Sequence, residues 1–208
     1  MRDLRGTLVT EGSSDDDMLI PILEWTFKEL KGRRIRIRWA DLRIPPQVGG
    51  ELSAKVTEAL RREPCDILFV HRDEDGQGFE GRWAEIDVAV ESVARTQMHV
   101  PVVPVRMSET WLLHDEAAIR AAAGNSRGRV PLGLPKRAKI EQVHAKNVLY
   151  AALVTASECR GRELKEFRNA LPATRCYLAS LIEDWRPLRQ LPGYQRMEER
   201  IRALELPD

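Results

Sequence analysis

The stretch Ile67-Leu68-Phe69-Val70-His71-Arg72-Asp73-Glu74-Asp75-Gly76 constrains this chain more than any other. Four apolar residues, rich in β-formers, run without a polar break into Asp-x-Asp-Gly. A short uninterrupted apolar run predicts a parallel strand buried on both faces. Its acids then fall at the C-terminal end of the strand, where open α/β sheets place their ligand sites. Two carboxylates one residue apart repel each other unless a cation sits between them. Donors that are all oxygen suit a hard divalent ion such as Mg²⁺ better than zinc. The same residues also read as a solvated acidic turn, because Asp-Gly is ordinary turn chemistry. The rest of the chain has to decide between the two.

Leu4 to Thr10 predicts a first strand ending at Glu11-Gly12. Ser13 or Ser14 would cap a helix whose first turn carries Asp15, Asp16 and Asp17, and whose apolar residues run from Met18 to Leu30. Lys31-Gly32 stops it. From Arg33 to Trp39 the pattern alternates, with Arg34, Arg36 and Arg38 on one side and Ile35, Ile37 and Trp39 on the other. Such alternation predicts a strand with one polar face, at a sheet edge. Leu52, Val56, Ala59 and Leu60 mark a helix before the Asp-x-Asp strand, and Trp83, Ile86, Val90 and Val93 mark another after it. Val100 to Val105, broken by Pro101 and Pro104, predicts a fourth strand, also at an edge. Strand and helix thus alternate through residues 1–107, which points to a Rossmann-like parallel sheet with right-handed crossovers.

Beyond Met107 the pattern is helical only. One helix is expected over Glu109 to Ala123, one over Asn147 to Ser157, and one around Tyr177 to Trp185. A final apolar stripe from Leu188 to Leu204 is interrupted by Pro192-Gly193. Residues 108–208 are therefore expected to form a helical cap packed on the α/β core, the two making one structural unit.

Composition removes several function classes. Lys+Arg 33 against Asp+Glu 32 gives a net charge of +1, so no bulk field draws the molecule to nucleic acid or membrane, and any polyanion site must be local. Hydrophobic residues at 43% support a real core, and charged residues at 31% a wet surface. Cys65, Cys159 and Cys176 lack metal-like spacing and read as reduced thiols. With no apolar run of membrane length and no leader-like start, a cytoplasmic protein without membrane contact is expected.

If the alternating strand is an edge, the first and third strands are neighbours and their C-terminal ends meet. Glu11 then faces Asp73 and Asp75, Asp15 can point back from one helical turn further on, and Glu109 follows the fourth strand. Two divalent ions about 3.5–4 Å apart can clamp the attacking and leaving oxygens of a phosphodiester displacement, and need such a surplus of carboxylate. Asp15 and Glu109 also stand where helix starts favour acids.

These residues carry a resemblance. Leu-Val-Thr-Glu11-Gly12 before a helix, then Leu-Phe-Val-His-Arg-Asp73-Glu74-Asp75, resembles the Toprim fold of topoisomerases, primases and OLD-type (overcoming lysogenization defect) nucleases. Glu11-Gly-Ser-Ser-Asp15 is similar to the OLD branch. Val105-Arg-Met-Ser-Glu109-Thr-Trp-Leu-Leu-His-Asp115, Pro131-Leu to Lys146-Asn-Val-Leu, and Leu181-Ile-Glu-Asp-Trp-Arg-Pro-Leu resemble a small family of standalone Toprim-like proteins of unknown function. The resemblance implies Mg²⁺- or Mn²⁺-dependent phosphodiester chemistry, with two ions held by Glu11, Asp15, Asp73, Asp75 and Glu109. Glu11, Asp73 and Asp75 would be catalytic, with Lys146 as the lysine near the scissile phosphate. OLD nucleases carry an ATPase domain, whereas this chain has no Gly-x-x-x-x-Gly-Lys-Ser/Thr, so the resemblance implies a separate ATPase partner and a place in phage defence.

The Gly/Pro loop from Gly124 to Lys139 carries Arg127, Arg129, Lys136 and Arg137 and is the candidate nucleic-acid contact, expected beside the acidic strand ends. The Arg34/Arg36/Arg38 face could track a phosphate backbone, or simply discourage edge pairing. His71, His99, His114 and His144 show no metal-ligand spacing and read as packing or surface residues. Two functions stay open: a nuclease acting on DNA or RNA, and a non-catalytic Toprim-like module that binds nucleic acid or an ATPase. A receiver-like phosphoacceptor domain fits less well, since it wants a lysine where this chain has Arg106-Met-Ser-Glu109. The sequence leaves open whether copies of the chain assemble with one another.

Overall fold

Alternation and continuity of apolar residues sort the strands into edge and centre. In the computed structural model, which describes residues 3–11, 15–45, 48–74 and 78–206, four strands form one parallel sheet in the order β2-β1-β3-β4. They are β1 (Leu4–Val9), β2 (Ile35–Trp39), β3 (Ile67–His71) and β4 (Met98–Val102). Every position of β3 is buried, as its apolar run predicts, whereas β2 alternates and takes an edge. Pro101 sits in β4, the other edge. Register aligns Val9 with Val70, so the C-terminal ends of β1 and β3 are level neighbours.

The helices are α1 (Asp16–Lys31), α2 (Leu52–Arg62), α3 (Phe79–Val93), α4 (Glu116–Ala122), α5 (Ala145–Ser157), α6 (Gly161–Leu181) and α7 (Pro192–Ala203). Gly32 ends α1 in the left-handed region at φ 64°, its N–H donating to the Lys28 carbonyl. Ser13 and Ser14, expected as caps, lie outside the described residues, and Asp15 occupies the cap position without a side-chain cap bond.

Three sequence expectations change. The single helix expected over Glu109–Ala123 is a 3₁₀ turn, Ser108–Leu112, followed by α4. Asp115 restarts the chain as an N-cap, its carboxylate accepting from the Ala118 N–H at 2.9 Å. The helix expected near Tyr177 is only the end of the 21-residue α6. Its first turns carry exposed charges, so apolar periodicity is silent there; Arg162 and Glu166 form an i,i+4 pair at 2.8 Å. Pro192 opens α7 rather than interrupting it, since a first-turn proline lacks an N–H that would have no partner anyway.

The sheet separates two cores. On one face Val9, Leu68 and Val70 pack with Val56 of α2 and with Trp83, Ile86 and Val90 of α3. On the other, Leu8, Ile37, Phe69 and Val100 pack with Leu19, Leu23 and Phe27 of α1, and with Trp111, Leu178 and Tyr194 of the helical half. The two halves therefore share a core. The Thr26 and Tyr194 hydroxyls are 2.6 Å apart, and Trp111 meets Tyr194 edge to face at 5.6 Å. Gly193 lies so close to the Val103 carbonyl that an added Cβ would stand 2.6 Å from it. No helix among the described residues is long and apolar enough to cross a membrane.

Candidate functional site

Parallel pairing of β1 with β3 brings Glu11 level with Arg72, two residues beyond the paired Val9 and Val70. These acids have a basic partner close at hand. Arg72, inside the motif itself, forms an ion pair with Glu11 through Nε and reaches Glu85 of α3 through Nη1 at 3.0 Å. Arg82 supports the far oxygen of Glu85 at 2.8 Å. A guanidinium thus supplies positive charge between strand end and helix.

Asp73 turns the other way. Its Oδ1 is 3.3 Å from His71 Nε2, and the His71 side chain is fully buried. Asp73 Oδ1 and both His71 ring nitrogens are buried with no hydrogen-bond partner among the described residues. His71 is therefore neither a surface histidine nor an ordinary packing one: it underlies the rim and faces the first acid of the Asp-x-Asp. Asp75 lies outside the described residues.

Glu74 accepts a hydrogen bond at 2.9 Å from the backbone N–H of Arg106, a non-glycine residue held at φ 70°. Strain of this kind persists where the surroundings over-determine it. Glu141, just before α5, feels Glu74: burial first, and then the Glu74 charge, push its carboxyl above the usual range. Its Oε1 is buried without a partner. Asp16 is likewise raised, by burial and then by Asp17, and its Oδ1 is also buried without a partner.

Asp15 and Glu109, expected as ligands beside Glu11, Asp73 and Asp75, meet instead around a side chain that the sequence reading missed. Arg175 of α6 pairs with the buried Glu109 and lies 3.7 Å from Asp15 through Nη2. Burial works against the Arg175 charge, but Glu109, and Asp15 after it, outweigh burial and raise its pKa. No spacing rule joins residue 175 to residue 15 or 109; only the fold of the helical half does.

Lys146 is exposed in the first turn of α5, its backbone N–H 3.3 Å from Met107 Sδ and its ammonium 6.0 Å from the Tyr150 ring. The basic loop divides. Asn125 donates to the Ala156 carbonyl at 2.9 Å and to Glu158 at 2.8 Å, which fixes the segment bearing the exposed Arg127 and Arg129 at the C-terminal end of α5. Lys136 and Arg137 lead into a 3₁₀ turn (Arg137–Gln142) that runs to the other end of α5, where the Gln142 carbonyl accepts from Arg106 at 3.5 Å. A 13-residue helix is about 20 Å long. The 3₁₀ turn that follows Lys136 thus ends beside the rim at Gln142, while the segment bearing Arg127 and Arg129 is held at the opposite end of α5.

A cleft of about 330 Å³ opens beside Glu11, lined by Thr10, Trp39, Leu42, Arg43 and Lys55. The Trp39 indole N–H donates to Thr10 Oγ1 at 3.0 Å, and Arg43 covers the ring at 4.6 Å. The cleft thus offers an aromatic wall and cations next to an acid.

A divalent ion needs several oxygens around one point. The donor chemistry fits for Asp73, whose buried Oδ1 has no hydrogen bond among the described residues; Glu11 is more open but is paired with Arg72. The donor chemistry does not fit for Asp15 and Glu109, which Arg175 already engages. Among the described residues no group of three His, Cys, Asp or Glu is gathered to hold an ion. No family model, curated protein or solved structure matches the chain.

Proposed function

We propose that the protein is a metal-dependent nuclease of Toprim type, hydrolysing phosphodiesters of DNA or RNA with Mg²⁺ or Mn²⁺. The observation that carries this reading is Asp73. It stands at the end of the central strand, beside the strand that delivers Glu11, with a buried carboxylate oxygen that accepts no hydrogen bond among the described residues and lies 3.3 Å from His71 Nε2. An unsatisfied buried oxygen is costly and calls for a role. Glu11 and Asp73, with Asp75, would hold the metal, which when bound supplies charge neutralisation and an acidified water. Arg72 would then be free to meet the phosphate, and the cleft beside Glu11 would take the adjoining nucleotide against Trp39. Lys146, Lys136 and Arg137 would serve as cations for the strand. Asp15 and Glu109, tied to Arg175, would set the position of α1 against α6 rather than act as ligands. The absence of a phosphate-binding Gly-x-x-x-x-Gly-Lys-Ser/Thr in this chain is consistent with a separate ATPase partner.

Mn²⁺ titration by calorimetry and cleavage of plasmid, duplex and single-stranded substrates test the reading in wild type and Asp73→Asn. Wild type should bind Mn²⁺ and cut; the variant should lose both and keep its affinity for nucleic acid, since the missing interaction acts mainly in the transition state. Equal Mn²⁺ binding by the two proteins would remove the site. A second reading, a non-catalytic module that binds nucleic acid or an ATPase, draws on the Arg72–Glu11 and Arg175–Glu109 pairs, which already compensate much of the rim's charge. Bound Mn²⁺ without cleavage of any substrate would favour it.

A further inference from the structure

A further cavity lies away from the rim. It is a groove of about 680 Å³ on the α2 side of the sheet, lined by Arg5 and Thr7 of β1, Arg36 and Arg38 of β2, and Arg62 and Glu63 at the end of α2. Its size falls in the ordinary range for ligand sites. Parallel register makes Arg5 the direct neighbour of Arg36, and Thr7 the neighbour of Arg38. Strands lie about 4.8 Å apart, and alternate residues about 6.6 Å apart along a strand, so three guanidinium groups are rooted in one small patch. Like charges directly opposite one another destabilise a sheet unless something neutralises them.

The neutralising groups on the page do not suffice. Arg62 is committed, donating to Glu58 at 2.6 Å and to the Asp41 carbonyl at 2.8 Å. Arg38 makes one long contact with Glu63, at 3.5 Å, and stays 67% exposed. The Arg5 backbone is fixed by Asp66, but no hydrogen bond or ion pair holds the guanidinium of Arg5 or of Arg36 among the described residues. An edge strand needs only scattered charge to discourage pairing. That requirement does not explain a second arginine on the neighbouring strand, in register, at the wall of a cavity.

We infer that this groove binds phosphate groups, its ligand being the backbone of a nucleic-acid strand. Guanidinium forks take phosphate oxygens in pairs, which favours arginine over lysine at such sites. Arg36 and Arg38 repeat along the strand at a step comparable to that between successive phosphates of an extended chain, and Arg5 adds a second row. The binding does not depend on cleavage at the acidic rim, so the two readings stand or fall separately.

The test uses the full chain and two probes: a fluorescent single-stranded oligonucleotide in an anisotropy titration, and inorganic tripolyphosphate as a competitor and in thermal melts. Wild type should bind the oligonucleotide, and Arg5→Gln/Arg36→Gln should weaken it at least tenfold at low salt. The salt slope should fall by about 1.4, for two phosphate contacts on a single strand. The double variant should melt no lower than wild type, because the substitution relieves repulsion, and Arg36→Lys alone should keep part of the affinity. Titrations run in EDTA, with no divalent ion at the rim, should give the same affinity, which separates the groove from the rim. Displacement of the strand by tripolyphosphate only at high concentration supports a strand ligand; strong thermal stabilisation by tripolyphosphate, lost in the double variant, supports a free polyphosphate on the same residues. Wild type binding neither probe, or the double variant binding both with unchanged affinity and salt slope, would overturn the inference.

Discussion

Arg175 and Arg72 both hold carboxylates at the C-terminal end of the sheet, but at different depths. The side chains of Arg175 and Glu109 are 3% and 5% exposed; those of Arg72 and Glu11 are 15% and 30% exposed. A buried pair cannot be broken without stranding a charge in a poorly solvated interior, whereas a half-open pair can exchange its partner for water or another cation. The inner cluster joins the α/β half to the helical half, since Glu109 follows β4 while Arg175 comes from α6 and Asp15 from the start of α1. The outer cluster joins only β1, β3 and α3. Depth thus divides the acids that the sequence grouped together: Glu109 is locked at the joint between the two halves, while Glu11 stays partly open to solvent.

The severest way to break this comparison is to remove the helical half. Without residues 108–208, α1 loses Leu178 and Tyr194 from its buried face, and Thr26 loses the Tyr194 hydroxyl. A chain ending at Met107 should aggregate or show no cooperative melt, because a fragment of that size burying half a core falls below the stability margin. A soluble, cooperatively melting fragment would make the inner cluster an interface between domains rather than part of a single core. Next in size is Arg175→Met. It leaves Glu109 buried without its cation and should cost about 3–5 kcal/mol, lowering the melting temperature by on the order of 10 °C. Adding Glu109→Gln to the same chain should recover much of that loss, because the stranded charge is gone. If the double variant melts as low as the single one, the cost lies in packing and the ion pair is incidental.

The sheet was legible in the sequence because each strand carries its own signal. The unbroken Ile67–Val70 run marks the centre, and the arginine alternation of β2 and the prolines near β4 mark the edges. That order was enough to set the C-terminal end of β1 beside that of β3. The helical half was less legible for two physical reasons. Asp115 caps more strongly than apolar periodicity suggests, and the first half of α6 is stabilised by pairs such as Arg162–Glu166 and has little apolar stripe. The site was legible in its acids and not in its bases. Arg175 could not be found by spacing, since three tertiary contacts bring it to Asp15 and Glu109. Arg72 was in view throughout, next to Asp73, and was passed over because the motif draws attention to carboxylates. The division of the basic loop also needed tertiary information: Asn125 ties one part to the far end of α5, which no local pattern encodes.

The gentlest probe of the comparison is Glu141. It belongs to the outer acids, is half-buried, and is pushed up by burial and by Glu74. An acid whose folded pKa is raised binds its proton more tightly in the folded state than in the unfolded one. Its contribution to stability is therefore complete below the unfolded value, near 4.5, and is lost as pH rises through the folded value. At neutral pH the ionised Glu141 works against the fold, so Glu141→Gln should raise the melting temperature at pH 7. The gain should be small, roughly 1–3 °C, because solvent screens a group this open. At pH 4 the two proteins should melt together, since wild type is then protonated and nearly isosteric with the variant. A gain that persists unchanged at pH 4 would mean that the amide has found a hydrogen bond the carboxyl lacks. In that case the gain would not report the repulsion between Glu74 and Glu141.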